Sequence, residues 1–344
     1  MTAMVEPPTP RNHVATSAQS RPRVGLALSG GGVRGLVHLG VLRVFEEHHL
    51  PVDLLTGTSM GGLIAGAYGA GVPLEDIIAF AVDTKILDFA SPDRTWHGLF
   101  DHRKMAPLLA ELLGGADLTF EDLKIPVAVT AVDLETGCLV ILDRGPLIPA
   151  LMATSALPLF FAPVRHNDRW LIDGGVLNNV PLDIARRMGA DRVLAITIPP
   201  IKEFELEVIP HSPHGRGLSL GSLFRFGNIE HTWRLPFLIA ETGFGLTQQL
   251  VNQTRMTLCP PDLLLEVPLP GVGILSTDGS PVAVDAGYAT ARQHLAELKA
   301  LAAPLPPPWR RRARCLRHRL KLAWRILRSP DPLLYPDDEI DLLS

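Results

Sequence analysis

From Val24 onward the chain alternates short apolar runs with longer amphipathic segments, the pattern of a protein built from strands and helices in turn. The first run, Val24-Gly25-Leu26-Ala27-Leu28, predicts a strand that turns at Ser29-Gly30-Gly31-Gly32. Leu36, Leu39, Val41, Leu42 and Phe45 then recur at helical spacing, and Glu46-Glu47-His48-His49 closes the stripe. After Pro51, Leu54-Leu55-Thr56 reads as a second strand. The turn carrying Ser59 follows, and then a Gly/Ala-rich apolar segment over residues 63–70 that suits a buried helix lying close on a sheet.

Further helices are predicted over residues 73–81 and 105–113, and strands over 126–132 and 139–142 around the turn Glu135-Thr136-Gly137. A helix over 147–156, a strand at Trp170-Leu171-Ile172, a helix over 182–188 and a strand over 193–198 continue the alternation. Residues 199–226 are rich in Pro, Gly, Ser and His and have no clean period, which predicts a loop or lid. A largely helical stretch over 228–256, a strand over 263–267 and a helix over 282–301 complete the pattern, and no internal repeat occurs. Alternation of this kind predicts an α/β protein of three layers, a mainly parallel central sheet covered by helices on both faces.

The chain has 344 residues, 47% hydrophobic and 20% charged, enough for a large core. Residues 1–22 are rich in Pro and small polar residues and lack the apolar run of a signal peptide, so they read as a disordered leader. Pro304-Leu305-Pro306-Pro307-Pro308 marks the far boundary, giving a domain over 23–303 and a tail over 304–344. Cys138, Cys259 and Cys315 are too few and too scattered for a disulfide framework or a thiolate metal site. No window approaches the roughly 18–20 unbroken apolar residues of a spanning helix. The expectation is a cytoplasmic protein whose membrane contact, if any, is peripheral.

Two turns carry candidate chemistry. A serine hydroxyl attacks a carbonyl only when it is held out from the chain and a base takes its proton. Gly57-Thr58-Ser59-Met60-Gly61 meets the first need: it is a G-x-S-x-G turn between a predicted strand and a predicted helix, with Gly57 and Gly61 permitting the sharp bend. Gly30-Gly31-Gly32-Val33-Arg34-Gly35 also joins a strand to a helix, and successive glycines let backbone N–H groups converge on one anion. Arg34 either adds positive charge to that loop or is a surface arginine near a helix start. The same loop matches the G-x-G-x-x-G dinucleotide fingerprint, but Asp53, the acidic residue at the right distance, precedes the second strand where the ribose contact requires one at its end. Nor is the loop a P-loop, because Leu36 follows Gly35.

For the base, the default is histidine, and the chain has twelve. His294 on a late helix, His211 and His214 in the irregular loop, and His48 and His49 at a helix end are all poorly placed. Asp173-Gly174-Gly175 follows a predicted strand, and its glycines leave the carboxylate uncrowded; Asp173 is a base or the cap of a turn.

Together, Gly30-Gly31-Gly32-Val33-Arg34-Gly35, Gly57-Thr58-Ser59-Met60-Gly61 and Asp173-Gly174-Gly175 resemble, in order, the three motifs of the patatin-like phospholipases. Asn178-Asn179-Val180-Pro181, Pro260-Pro261-Asp262 and Asp285-Ala286-Gly287-Tyr288 are similar to the bacterial branch related to neuropathy target esterase. The resemblance implies the patatin-like fold and a Ser–Asp dyad. Asp173 would take the proton of Ser59, and N–H groups of Gly31, Gly32 and Val33 would hold the oxyanion. An acyl-enzyme would be hydrolysed to free fatty acid, with no metal or cofactor, on a membrane phospholipid or lysophospholipid. A non-catalytic membrane-surface scaffold and a serine acyltransferase are the alternatives. At Gly273-Ile274-Leu275-Ser276-Thr277-Asp278 the chain departs from such relatives, which often carry an Asp-Phe pair there.

The net charge of −4 conceals a strong segregation. Nine basic residues, Arg310, Arg311, Arg312, Arg314, Arg317, Arg319, Lys321, Arg325 and Arg328, fall within residues 309–328 with no acidic one, and an acidic tail follows. Trp309, Ala313, Leu316, Leu320, Ala323, Trp324 and Leu327 form an apolar stripe at helical spacing. This is the pattern of a helix lying on an anionic membrane surface. A nucleic-acid arm, a partner-protein helix and a clasp with the acidic tail are the other readings, and nucleic acid is not the expected partner. Oligomeric state is not expressed in the sequence.

Overall fold

The computed structural model describes residues 21–84, 91–92, 100–101, 104–199, 229–274 and 279–304. The leader short of Arg21, residues 200–226 of the lid candidate over 199–226, residues 275–278, the basic segment 309–328 and the acidic tail lie outside the described residues.

The order of elements is β1 (Val24–Leu28), α1 (Val37–Glu47), β2 (Leu54–Gly57), α2 (Met60–Ala70), α3 (Leu74–Asp83), the short pair β3 (Ser91–Pro92) and β4 (Phe100–Asp101), and α4 (Met105–Leu113). It continues with β5 (Val127–Asp133), β6 (Leu139–Leu142), α5 (Leu147–Thr154), β7 (Val164–His166), β8 (Arg169–Asp173), α6 (Leu182–Arg187), β9 (Arg192–Thr197), α7 (Ile229–Leu258), β10 (Leu263–Glu266), α8 (Ser280–Gln293) and α9 (Leu295–Leu301). The main sheet runs β10-β9-β1-β2-β5-β8-β7 with β6 on β5. The five strands from β10 to β5 are parallel, and β6, β7 and β8 pair antiparallel.

Alternation along each strand sorts side chains into two cores. Leu26 and Leu28 of β1, Leu55 of β2, and Leu194 and Ile196 of β9 join α1 to α5 and α8 in a large cluster. Ala27, Leu54, Val193 and Ala195 face the other way, onto Leu182 and Ala185 of α6. Both faces are buried, so these strands read as unbroken apolar runs. On the thick face α1 and α8 touch backbone to backbone. A Cβ at Gly40 would strike the carbonyl of Val284, and one at Gly287 the carbonyl of Val37, which accounts for the glycine in Asp285-Ala286-Gly287-Tyr288.

The decisive feature for the site is the pairing of β5. Val129 pairs with both Gly57 of β2 and Leu142 of β6, and Ala131 with both Asp173 of β8 and Val140 of β6. A strand residue has two edges, and β6 lies along one of them; β2 and β8 therefore share the other. They meet end to end: β2 runs up to Val129 and β8 runs down to Ala131, so the turns after Gly57 and after Asp173 face each other across Thr130.

Two details differ from the sequence reading. The closing helix is two helices, broken at His294, whose φ of −98° and ψ of 17° are not helical. Strand β7 was not anticipated; it forms a two-residue hairpin with β8 through Asn167 and Asp168, both at positive φ (48° and 60°). Of the two readings of Arg34, the surface one is excluded, since the residue is buried, 7% exposed. Asp53 accepts the Val24 N–H at 2.7 Å and pairs with Arg21, at the end of β1 remote from the glycine loop, so it cannot serve a dinucleotide bound there.

Candidate active site

Ser59 stands between β2 and α2 with φ 54° and ψ −127°, a conformation that costs a non-glycine residue about 1–3 kcal/mol. Surrounding contacts hold it there. Its N–H donates to Thr154 Oγ1 at 3.0 Å, and its carbonyl accepts from Leu63 N at 3.0 Å in the first turn of α2. Thr58, fully buried, bonds Thr130 Oγ1 at 2.6 Å and donates to the Asn178 carbonyl at 2.8 Å. The flanking glycines are steric necessities: a Cβ at Gly57 would meet the backbone of Gly61 and Gly62, and one at Gly61 the carbonyls of Leu28 and Ser29.

Asp173 ends β8 and is 1% exposed. Its carboxylate accepts the Gly175 N–H at 2.7 Å, and the Ser59 side chain lies beside it as a second donor favouring the charged form. Burial disfavours its charge and pushes the pKa up from 3.8 to about 6, against the opposing pull of those two donors. Gly174 and Gly175 make room here, because a Cβ at Gly174 would overlap Thr130 and one at Gly175 would lie 2.6 Å from Gln248 Nε2.

The glycine loop lies beside this pair and continues as a 3-10 turn, Gly32–Leu36. Gly30 N–H is held by Asn179, whose carbonyl and Oδ1 lie at 3.2 and 3.1 Å, and Val33 N–H donates to the Ile274 carbonyl at 2.9 Å. Val33 therefore anchors the loop to the segment at Ile274. Gly32 has φ 56°, and a Cβ there would run into the Ile274 carbonyl. The N–H groups of Gly31 and Gly32 have no acceptor among the described residues, and both residues line the cavity in front of Ser59. Arg34 donates through Nη2 to the Pro199 carbonyl at 2.6 Å, tying the loop to the chain after β9.

Ser59 and Asp173 open on a cavity of about 340 Å³. Leu63, Ile64 and Ala67 of α2, Ile77 and Phe80 of α3, and Met105, Leu109 and Leu112 of α4 form an apolar wall, and α7 closes the opposite side. Among the described residues no histidine lines it. His48 sits by Arg292 and His294 by Glu297, both on the surface, while His211 and His214 lie outside the described residues. His38 is fully buried, with Nε2 on the Ser29 carbonyl at 2.8 Å, and burial lowers its pKa to about 4. Among the described residues no cluster of three His, Cys, Asp or Glu side chains could hold a metal ion.

Thr154 and His38 escaped the sequence reading. Each is a lone polar residue on the buried face of its helix, which is the signal they offered.

Fold and site together define a three-layer α/β protein with a serine at a strand–helix elbow, opposite a buried aspartate. Residues 26–186 match the family model described as patatin-like phospholipase, and over this stretch the chain is similar to that family. An uncharacterized NTE family protein of Mycobacterium tuberculosis is 32% identical over 182 residues, 52% of this chain and 50% of the relative. Human patatin-like phospholipase domain-containing protein 6 is 31% identical over 205 residues, 56% of this chain and 14% of that protein. The chain thus matches about half the length of the mycobacterial relative and a small part of the human one. Among solved structures, VipD from Legionella pneumophila superposes with a TM-score of 0.52 at 15% identity, over 81% of this chain and 67% of that one, a likeness of fold. Among the described residues, no helix is long and apolar enough to cross a membrane.

Proposed function

We propose that this protein is a serine lipid acyl hydrolase of the phospholipase A or lysophospholipase type, with Ser59 as nucleophile and Asp173 as general base. The observation that carries the reading is the placement of Ser59 beside the buried Asp173 carboxylate at the wall of an apolar cavity. Asp173 accepts the hydroxyl proton as Oγ attacks the ester carbonyl. With a pKa of about 6 it is ionised at neutral pH yet more basic than an exposed carboxylate. The oxyanion forms against the N–H groups of Gly31 and Gly32, each such donor contributing about 3–4 kcal/mol to the transition state. The proton passes to the leaving alcohol, and the acyl group stays on Ser59. Water, deprotonated by Asp173, then attacks the acyl-enzyme and releases the fatty acid.

Membrane lipid is the proposed substrate source. The cavity mouth supports this, since Leu159 in the loop after α5 and Leu246 on α7 are 66% and 55% exposed near it. The basic amphipathic segment 309–328 is proposed to hold the protein on an anionic surface at the inner face of the membrane.

Labelling with a fluorophosphonate tests the chemistry. Wild type should label and turn over ester, Ser59→Ala should do neither, and Asp173→Asn should lose turnover. Hydrolysis surviving Ser59→Ala would refute the mechanism. For the surface role, a chain truncated after Pro304 should lose affinity for anionic vesicles; unchanged binding would remove it.

A further inference from the structure

The two sides of the cavity differ in kind. α2, α3 and α4 supply aliphatic and aromatic side chains, whereas α7 presents Gln248, Gln249, Asn252 and Gln253 between Phe244 and Leu246 on one side and Met256 on the other. Those positions, i, i+1, i+4 and i+5, share one helix face. A helix that merely covered a hydrocarbon cavity would turn leucines inward. In the middle of α7 the four amides line the cavity, while Leu250 and Leu258 are 62% and 69% exposed.

Gln248 has a local partner, donating through Nε2 to the Gly175 carbonyl at 3.3 Å, which sets α7 directly over the Asp173 turn. Asn252 has none for its oxygen: Oδ1 is buried and accepts no hydrogen bond among the described residues. A buried carbonyl without a donor is unfavourable, so a ligand that brings a donor is favoured there.

The wall also says which ligand. Arg34 is the single Lys or Arg on it among the described residues, with Nη2 on the Pro199 carbonyl, and Asp173 and Glu266 are its acids. A phosphate, which only accepts, can take the amide N–H groups but leaves the buried Asn252 Oδ1 without a donor. A hydroxyl donates and accepts, and a row of amides does both.

We propose that the amide face of α7 is the subsite for the alcohol side of the scissile ester, and that it binds a free hydroxyl neighbouring that ester. The acyl chain lies on the α2–α4 wall, the carbonyl at Ser59, and the alcohol under Asn252 and its neighbours. Single-chain glycerol esters carry such a hydroxyl; diacyl phospholipids do not. This rests on the hydrolase reading above and assigns its specificity.

The experiment compares kcat/KM for pairs of esters that differ only in that hydroxyl. One pair is 1-palmitoylglycerol and its 2-deoxy analogue, the other 1-palmitoyl lysophosphatidylcholine and its 2-deoxy analogue. Wild type should favour the hydroxyl-bearing ester about tenfold in at least one pair, the ratio one net hydrogen bond supports. The pair that discriminates identifies the source as neutral or phosphate-bearing. In Asn252→Leu the ratio should fall towards one, and in the more exposed Gln253→Leu it should fall in part. Each ratio is taken within one preparation, so the folded fraction cancels. Equal rates for both esters of both pairs in wild type, or a ratio unchanged in both variants, would overturn the proposal. If Ser59→Ala is inactive throughout while the ratios fail to behave so, the subsite alone is wrong. If Ser59→Ala still hydrolyses, the hydrolase reading itself has failed.

Discussion

Replacing Asp173 by Asn should abolish turnover and at the same time make the protein more stable at neutral pH. In the native chain the Asp173 carboxyl holds its proton up to about pH 6, against 3.8 when unperturbed, because burial disfavours the anion. Between those values the native state binds more protons than the unfolded state, so stability falls as pH rises through the window. At about 1.4 kcal/mol per pH unit, the gap from 3.8 to about 6 amounts to about 3 kcal/mol, present in full near pH 4 and lost above pH 7. Asn does not ionise, and its amide oxygen can still accept the Gly175 N–H. Buried His38, with its pKa lowered to about 4, contributes a slope of opposite sign in both proteins, and the difference between them cancels it. Urea unfolding followed by tryptophan fluorescence should show equal stabilities near pH 4 and a variant more stable by up to about 3 kcal/mol at pH 7.5. Over the same range, wild-type kcat/KM should rise with an apparent pKa near 6. A variant no more stable than wild type at pH 7.5 would show that the Asp173 anion is not strained by its burial, and the reasoning would fail.

Ser59 makes a parallel case through the backbone: Ser59→Gly should be more stable than Ser59→Ala by about 1 kcal/mol, both inactive, because only glycine accepts φ 54° and ψ −127° without cost; urea midpoints decide it. Gly57→Ala drives a Cβ to within 2.6 Å of Gly62 Cα, so the elbow must open, with a loss of about 3 kcal/mol and of fluorophosphonate labelling. At the cavity mouth, Leu159→Asp should weaken binding to lipid vesicles about tenfold, the scale of one leucine withdrawn from an apolar surface, as read by co-sedimentation.

What the sequence made legible follows from what each element must satisfy. β1, β2 and β9 are covered on both faces, so their runs are apolar without interruption and announce themselves. Gly30 to Gly35, Gly57 and Gly61 stand where a side chain would collide with a neighbour or a positive φ is required, and a backbone demand of that kind is written directly in residue identity. Strand β7 is three residues long with Arg165 exposed between its neighbours, too short for a period to show; its one signal was the Asn167-Asp168 pair of a two-residue hairpin. Hydrogen-bond partners were not legible either. That Val33 N–H meets Ile274, and that Thr154 holds the Ser59 N–H, are contacts between segments far apart in the chain, and nothing in Val33 or Thr154 alone foretells them.

The direction of β8 lay equally beyond the sequence, and the site depends on it. In a parallel sheet every strand delivers its carboxyl end to the same side, so two residues at the ends of neighbouring strands sit side by side, a strand spacing of about 4.8 Å apart, with their side chains set by separate turns. Here the strand carrying Asp173 enters from the far end of β5, along the edge β2 already occupies, and stops where β2 stops. Both turns then close over Thr130, whose hydroxyl bonds Thr58 and whose backbone leaves room only for a glycine at position 174. The carboxylate reaches the serine from across the tip of the strand rather than from alongside it. As the proposed base, Asp173 needs no third residue to orient it: the Gly175 N–H and the end of β8 already fix the carboxylate. A buried aspartate can therefore occupy the place that a histidine and its partner fill in a triad.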